Sequence, residues 1–157
     1  MMRVWRFGMA FFIVTCVVTL LLPGGDRRAA HAQERVLVGE CLYGSAAPSD
    51  EVGVYDADGV VVTLRCGTPI STGVLHIDSD HSIEPDQEFN FLRCVFNVFE
   101  EGAYQGPGNR PGLVVFEREF APGRFAQGVY DEKSGNETVT VYTKGRVSND
   151  WQACRGA

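Results

Sequence analysis

Four cysteines constrain this 157-residue chain more than any other feature, because all of them follow a segment typical of an export signal. Basic residues precede an almost wholly apolar segment at residues 8–22, and the sequence AHA at residues 30–32 has the small-x-small pattern of a cleavage site. The apolar segment is shorter than the roughly 18 to 20 residues that a spanning helix needs. We therefore expect residues 1–32 to be a cleaved signal peptide, and the secreted protein to begin at Gln33 without stable insertion into a membrane.

The predicted mature protein keeps four cysteines, which are Cys41, Cys66, Cys94 and Cys154. In an extracellular, periplasmic or envelope compartment, four cysteines are typical of two disulfides. Their spacings contain no close C-x-x-C pair, so we predict no zinc site, and nothing in the sequence indicates a cofactor. Three pairings are possible. The expected secondary structure favours Cys41 with Cys66, across neighbouring strands, and Cys94 with Cys154, between a helix and the C-terminal tail.

The pattern of apolar residues predicts an α+β fold, in which an antiparallel β-sheet packs on one long α-helix. Residues 34–44 have the apolar pattern of a strand, and Asp58-Gly59 lies between two β-branched runs, which is a strong hairpin signal. Residues 85–101 have helical spacing, whereas three glycines and two prolines at residues 104–112 indicate a loop.

We predict one domain over residues 33–157. Its expected parts are N-terminal strands with a hairpin (33–68), a helical region (73–102) and a β-meander (113–148). The long helix is expected to have an apolar face and a polar face. The apolar face contains Phe89, Leu92, Val95, Phe96 and Phe99, and the polar face contains Arg93, Asn97 and Glu100.

Charge is distributed unevenly along the chain. Loss of residues 1–32 removes four arginines and one aspartate, which changes the formal net charge from −6 to −9. Residues 33–102 contain three basic and thirteen acidic side chains, whereas residues 103–157 contain seven basic and six acidic ones. An anionic partner is therefore expected to meet the C-terminal part.

Two histidines follow the predicted signal, His76 and His81, both within GVLHIDSDHSI. On a helix, residues five apart do not share a face, so the two form a poor metal pair. His76 is interpreted either as a histidine at the edge of the core or as a general acid or base. His81 lies among acidic residues and is expected to be solvated.

The acidic run DSDHSIEPDQE invites a calcium hypothesis. It departs from an EF-hand, since Ile83 stands where the loop needs glycine and Phe89 where it needs a bidentate glutamate. A looser calcium site and a solvated cluster at a helix start both remain open, and the second is favoured.

A family resemblance covers about residues 73–146. The helix GVLHIDSDHSI, the helix FLRCVFNVFEEG, a glycine-rich loop and a meander ending in ETVTVYTKG together resemble the layout of bacterial ribonuclease toxins. These toxins form the superfamily that groups barnase, EndoU, the tRNA-cleaving colicins and RelE.

The resemblance implies a catalytic set. His76 matches the helix histidine of the family, Arg118 or Arg124 its strand arginine, and Thr140 and Tyr142 its late T-x-Y pair. The implied reaction is metal-independent attack of a ribose 2′-hydroxyl on the adjacent phosphate, in which histidine transfers the proton and arginine stabilises the charge. RNA would be the substrate, and an immunity or inhibitor protein would be a partner.

Further residues are expected to bind the substrate, namely His81, Lys144 and Arg146. The cationic side chains on consecutive predicted strands would form one positive strip. Thr138, Thr140, Tyr142 and Lys144 are expected to point together, because alternate residues of a strand share a face. The same pattern also fits an ordinary amphipathic strand.

A second hypothesis is a non-catalytic extracellular or envelope binding module with a protein, glycan or cation ligand. Such a module would use the Gly/Pro-rich loop and the acidic face. The two hypotheses differ in geometry, because an enzyme needs His76 within hydrogen-bond or water-bridged reach of Tyr142, Thr140 or an arginine in a cleft.

Overall fold

A computed structural model of the chain describes residues 38–145 and 150–156. The predicted signal peptide, the mature N-terminus at Gln33 and the predicted substrate-binding residue Arg146 lie outside the described residues. Among the described residues, no helix is long and apolar enough to cross a bilayer.

Six strands form one sheet in the order β1-β2-β6-β5-β4-β3. Their bounds are Glu51–Ala57 (β1), Val60–Arg65 (β2), Ala103–Pro107 (β3), Leu113–Ala121 (β4), Arg124–Asp131 (β5) and Glu137–Lys144 (β6). Neighbouring strands are antiparallel except β2 and β6, which pair in parallel through Thr63 and Glu137. The predicted α+β class is confirmed, and the sheet is mixed because the parallel pair joins the hairpin to the meander.

Three α-helices accompany the sheet in the described part of the chain. The described part of α1 covers residues 38–42, α2 is Gly73–His81 and α3 is Glu88–Glu101. Two 3₁₀ helices follow, at Glu132–Ser134 and Trp151–Gly156. Both predicted helical segments form, and α3 begins at Glu88, three residues after the predicted start.

The long helix α3 packs its apolar side on the sheet. Phe99 contacts the rings of Tyr55, Phe116 and Tyr130, at centroid distances of 6.2 to 6.3 Å. The C-terminal 3₁₀ helix covers another side of α3, where Trp151 packs edge-on against Phe91. Together these contacts bury most of the helix surface.

Because α3 is covered on two sides, the exposure of two of its side chains differs from the prediction. Asn97, predicted on the polar face, is only 3% exposed, whereas Phe89, predicted on the apolar face, is 40% exposed. Apolar spacing alone describes one buried face, but here both the sheet and the C-terminal 3₁₀ helix cover the helix.

The predicted Asp58-Gly59 turn joins β1 to β2. Both residues have positive φ, 55° and 86°, as a tight two-residue hairpin turn requires. The side chain of Asp56 accepts a hydrogen bond from the amide of Gly59 at 2.6 Å. The hairpin prediction is confirmed.

Two predicted elements were wrong. Residues 38–42, expected in a strand, are helical, with Val38 and Cys41 buried three residues apart on one side of α1. Residues 103–107, mostly expected in a loop, form β3. Proline is tolerated there because β3 is an edge strand. Such a strand has a neighbouring strand on one side only, so an amide on its other side is not needed as a donor.

Both favoured disulfide pairings are confirmed, Cys41 with Cys66 and Cys94 with Cys154. All four cysteines are buried. The first bond joins α1 to the end of β2 rather than two strands, and the second joins α3 to the C-terminal 3₁₀ helix. The chain is thus a small disulfide-bonded α+β protein, as is typical of an oxidising compartment.

Candidate functional site

A cleft of about 500 Å³ lies between the β2–α2 loop, the β3–β4 loop and the adjoining ends of β5 and β6. We call it the His76 cleft. It is lined by Ile70, Ser71, Thr72, His76, Arg110, Pro111, Leu113, Asp131 and Val139. Most of its exposed lining is polar, and a concave site with a few convergent polar groups is typical of ligand binding.

The β2–α2 loop forms one wall and is tied to α2 through the carbonyl oxygen of Pro69. His76 Nδ1 lies 3.2 Å from this oxygen, and the hydroxyl of Ser79 donates to it at 3.2 Å. The Thr68 and Ser71 hydroxyls are 2.8 Å apart across the loop. These bonds hold the wall against the helix that carries His76.

One ring nitrogen of His76 is hydrogen-bonded to the backbone, and the other faces a carboxylate. Because a carbonyl oxygen only accepts, the contact with Pro69 makes Nδ1 the donor. Nε2 lies 3.8 Å from Oδ2 of Asp80, one turn later on α2. The side chain is 22% exposed, so the ring is at the edge of the core and reaches solvent in the cleft.

The β3–β4 loop forms the opposite wall and presents Arg110. The amide of Gly108 donates to Leu113 O at 2.7 Å, and the amide of Leu113 donates to Arg110 O at 3.2 Å. These bonds hold the backbone of the loop while Arg110 remains exposed. Among the described residues, its guanidinium has no hydrogen bond or ion pair.

Asp131 lies at the end of β5 and adds a carboxylate to the cleft. Its Oδ1 accepts a hydrogen bond of 2.9 Å from the amide of Lys133, which caps the 3₁₀ helix Glu132–Ser134. The amide of Glu132 donates to Gly112 O at 2.9 Å, so this segment is fixed to the β3–β4 loop.

A second polar cluster lies on the sheet and contains Tyr142. Register places Glu117, Gln127 and Tyr142 directly opposite one another on β4, β5 and β6. The Tyr142 hydroxyl donates to Gln127 Oε1, and the ring of His81 stacks on the ring of Tyr142 with centroids 5.3 Å apart. Lys144 Nζ lies 3.0 Å from Glu117 Oε2.

Arg118 and Arg124 lie on the other face of the sheet from Tyr142. Arg118 pairs in register with Ala126, and Ala126 pairs with Thr143, the residue after Tyr142. Paired residues share a face and successive residues alternate, so Arg118 is on the α3 side. Arg124, two residues before Ala126, shares that side.

Both arginines are paired with carboxylates. Arg118 contacts Glu101 Oε2 at 3.0 Å and also donates to Glu101 O at 2.9 Å, at the end of α3. Arg124 lies 3.4 Å from Asp150 Oδ2. The structure therefore does not bring these arginines together with Thr140 and Tyr142.

The predicted common face of β6 is interrupted by a register shift between Val129 and Tyr130. Thr140 pairs with Val129, but Thr138 pairs with the core residue Tyr130 and is fully buried. The Thr140 hydroxyl is also buried and has no hydrogen-bond partner among the described residues. Thr138 therefore does not share the face of Thr140 and Tyr142.

Within the described part of the chain, no three acidic, histidine or cysteine side chains are grouped so that they could hold a metal ion. Asp78, which belongs to the acidic run, has a local role: its Oδ1 accepts a hydrogen bond of 2.7 Å from the amide of Ile83 just after α2. Most side chains of this segment are exposed, but Glu88 at its end is buried, with 8% exposed.

Sequence reasoning identified His76 but missed Arg110, Asp131, Leu113 and Val139. The Gly/Pro-rich segment is predicted to be a loop that a binding module would use, and Arg110 is the one cation within it. That isolated charge was the available signal. No sequence signal indicated that the end of β5 lies near α2, because this arrangement depends on the parallel pairing of β2 with β6.

The chain was also compared with known proteins. No family model matches it, and no curated protein is significantly similar to it.

Proposed function

We propose that this chain is a non-catalytic extracellular or envelope binding module and that its ligand occupies the His76 cleft. The observation that carries this proposal is the cleft itself, whose mostly polar lining includes an arginine that has no partner among the described residues. A fixed concave site with a few polar groups is typical of ligand recognition.

Outside the cleft, the described arginines and lysine of the predicted catalytic and substrate-binding sets are paired with carboxylates, which favours binding over catalysis. Stabilising a phosphorane requires cations aimed at the reacting group before it arrives. Arg118, Arg124 and Lys144 instead contact carboxylates at 3.0, 3.4 and 3.0 Å. A cation held by a carboxylate has to lose that partner before it can bind a phosphate, which weakens its contribution.

Metal-independent ribonuclease activity is the second candidate, with RNA as substrate and an inhibitor protein as partner. It is favoured by one observation, that His76 and Arg110 line the same cleft. In this scheme His76 would transfer the proton and Arg110 would stabilise the negative charge. The family resemblance assigns substrate positioning to Thr140 and Tyr142, but neither residue lines this cleft, which counts against this candidate.

Two measurements on the oxidised, exported protein separate the candidates. In the first, a mixed RNA substrate is incubated with the wild type, His76→Ala and His76→Asn. Asparagine keeps a donor near Pro69 O but cannot transfer the proton. We expect all three proteins to leave the RNA intact. Cleavage by the wild type that both variants lose would contradict the binding proposal and establish the ribonuclease.

In the second measurement, amide NMR shifts are followed while three probes are added separately: N-acetyl-L-valine, chitotriose and calcium chloride. These represent a peptide-like, a glycan and a cation ligand. The proposal predicts that at least one probe shifts the amides of Ser71, His76 and Leu113 and leaves those of β1 unchanged. Shifts confined to other surfaces, or none with any probe, would overturn the proposal.

A further inference from the structure

We propose that the His76 cleft recognises an N-acyl amino-acid carboxylate with a short aliphatic side chain. Such a group occurs as a free small molecule and as the C-terminal residue of a peptide. This inference rests on the proposed binding function and assigns the ligand chemistry of the same site.

Arg110 is the carboxylate-binding group. The chain is acidic, and three other described arginines contact carboxylates: Arg65 contacts Glu51 and Glu137, Arg118 contacts Glu101, and Arg124 contacts Asp150. Arg110 is exposed in the cleft and has no such contact within the described residues. Its guanidinium can therefore accept a ligand carboxylate in a bidentate pair without breaking an existing one.

Asp131 supplies the acceptor for an N–H group of the ligand. Its Oδ1 is occupied by the Lys133 amide, at 2.9 Å, and this bond orients the carboxylate. A Cβ atom at Gly112 would lie 2.9 Å from the same Oδ1, so glycine lets the β3–β4 loop approach Asp131 closely. Oδ2 has no hydrogen bond within the described residues and can accept one from an acylated amine.

Two aliphatic side chains lie at the floor of the cleft, whereas most of its exposed lining is polar. Leu113 and Val139 line it, and each is 8% exposed. Pro111 and the highly exposed Ile70 stand at its rim. A branched side chain of a ligand would cover this small apolar surface and remove its own apolar surface from water, which stabilises the complex.

The acidic residues beside the cleft select against more highly charged anions. Asp131 lines the cleft, and Asp80 lies 3.8 Å from His76 Nε2. Phosphate monoesters carry about two negative charges, so two nearby carboxylates repel them more strongly than a monoanion. One arginine, one acceptor and a small aliphatic patch match a monoanionic N-acyl amino acid with a short side chain.

Isothermal titration of the oxidised, exported protein tests this assignment with two matched pairs of ligands. The first pair is N-acetyl-L-valine and its C-terminal amide, and the second is the peptide Ac-Ala-Ala-Ala-Val and its amide. We expect each carboxylate to bind at least tenfold more tightly than its amide. We also expect Arg110→Gln to weaken carboxylate binding at least tenfold, and Asp131→Asn to weaken it less.

Arg155→Gln is the matched control, because Arg155 is also exposed and lacks an ion pair within the described residues, but lies outside the His76 cleft. It should leave the affinity unchanged. If the peptide binds at least tenfold more tightly than N-acetyl-L-valine, the source is a peptide C-terminus; equal affinities identify the free molecule.

Equal binding of acid and amide, or unchanged binding by Arg110→Gln, would overturn the assignment. The failure of this inference is distinguishable from that of the binding function. If chitotriose or calcium shifts the cleft amides and N-acetyl-L-valine does not, the ligand class is wrong and the binding function stands. If no probe shifts them, both fall.

Discussion

The indole Nε1 of Trp151 donates a 2.9 Å hydrogen bond to the carbonyl oxygen of Ser82, which directly follows α2. The indole is fully buried, and its ring packs edge-on against Phe91 of α3 with centroids 5.1 Å apart. Ser82 has φ 37° and ψ 119°, an uncommon conformation for a residue with a side chain. Trp151 thus holds the end of the helix that positions His76.

Trp151→Phe is expected to lower the free energy of unfolding by about 2 to 3 kcal/mol, because it removes buried surface and leaves the Ser82 carbonyl without this donor. Urea unfolding followed by circular dichroism measures the change. Tyr43→Phe is the control, since Tyr43 is 69% exposed, and it should change stability by less than about 0.5 kcal/mol. Equal stabilities of the two variants would contradict the role of Trp151.

Gly128→Ala is expected to destabilise the protein by about 1 to 3 kcal/mol through overpacking. A Cβ there would lie 2.6 Å from Val98 Cγ1 and 2.9 Å from Phe99 Cζ, so the helix α3 would have to move away from β5. Gly59→Ala separates this effect from backbone strain, because position 59 has positive φ but open space. Chemical denaturation should show the larger loss for Gly128→Ala, and the reverse order would mean that α3 does not approach β5 this closely.

Stability at alkaline pH should depend on Tyr130. Burial, followed by the charges of Glu132 and Tyr104, raises the pKa of Tyr130 above its usual 10.0. The folded state therefore favours the neutral phenol, and this stabilisation is present below pH 10 and is lost as the pH rises through the folded-state pKa.

The variant Tyr130→Phe tests this dependence. The free energy of unfolding of the wild type should fall more steeply between pH 8 and pH 11 than that of the variant. Parallel pH profiles of the two proteins would show that Tyr130 does not contribute. The other tyrosines and the lysines are common to both proteins, so their titration cancels in the comparison.

Arg118 is expected to stabilise the end of α3 rather than to bind a ligand, because it contacts both the carboxylate and the backbone carbonyl of Glu101. Arg118→Gln should lower the free energy of unfolding by about 1 kcal/mol. It should leave the titration with N-acetyl-L-valine unchanged. A loss of binding without a loss of stability would return Arg118 to the functional site.

Local sequence signals predicted much of the fold. Asp58-Gly59 identified the hairpin, and the spacing of Leu92, Val95 and Phe99 identified α3, because turn and helix formation depend on nearby residues. The pattern at residues 38–42 was ambiguous, since a short apolar run fits a helix or a strand. Its helical state depends on burial of Val38 and Cys41 against the rest of the protein.

The site was less predictable than the fold. His76 was recognisable as a rare titratable residue beside apolar ones. Arg110 and Asp131 are distant from it in sequence and line the same cleft because β6 lies between β2 and β5. The expected strip of cations failed to converge in the described structure because alternation along β4 and β5 places Arg118 and Arg124 on the α3 side.

The location of the ligand is the most direct test of this account. Isotope-filtered nuclear Overhauser spectra of the labelled, oxidised protein with unlabelled N-acetyl-L-valine report which methyl groups lie within a few ångströms of the ligand. We predict contacts from the valine methyls to Leu113 and Val139. Contacts instead to Val54 and Val61, which are 51% and 60% exposed on β1 and β2, or none at saturation, would contradict it.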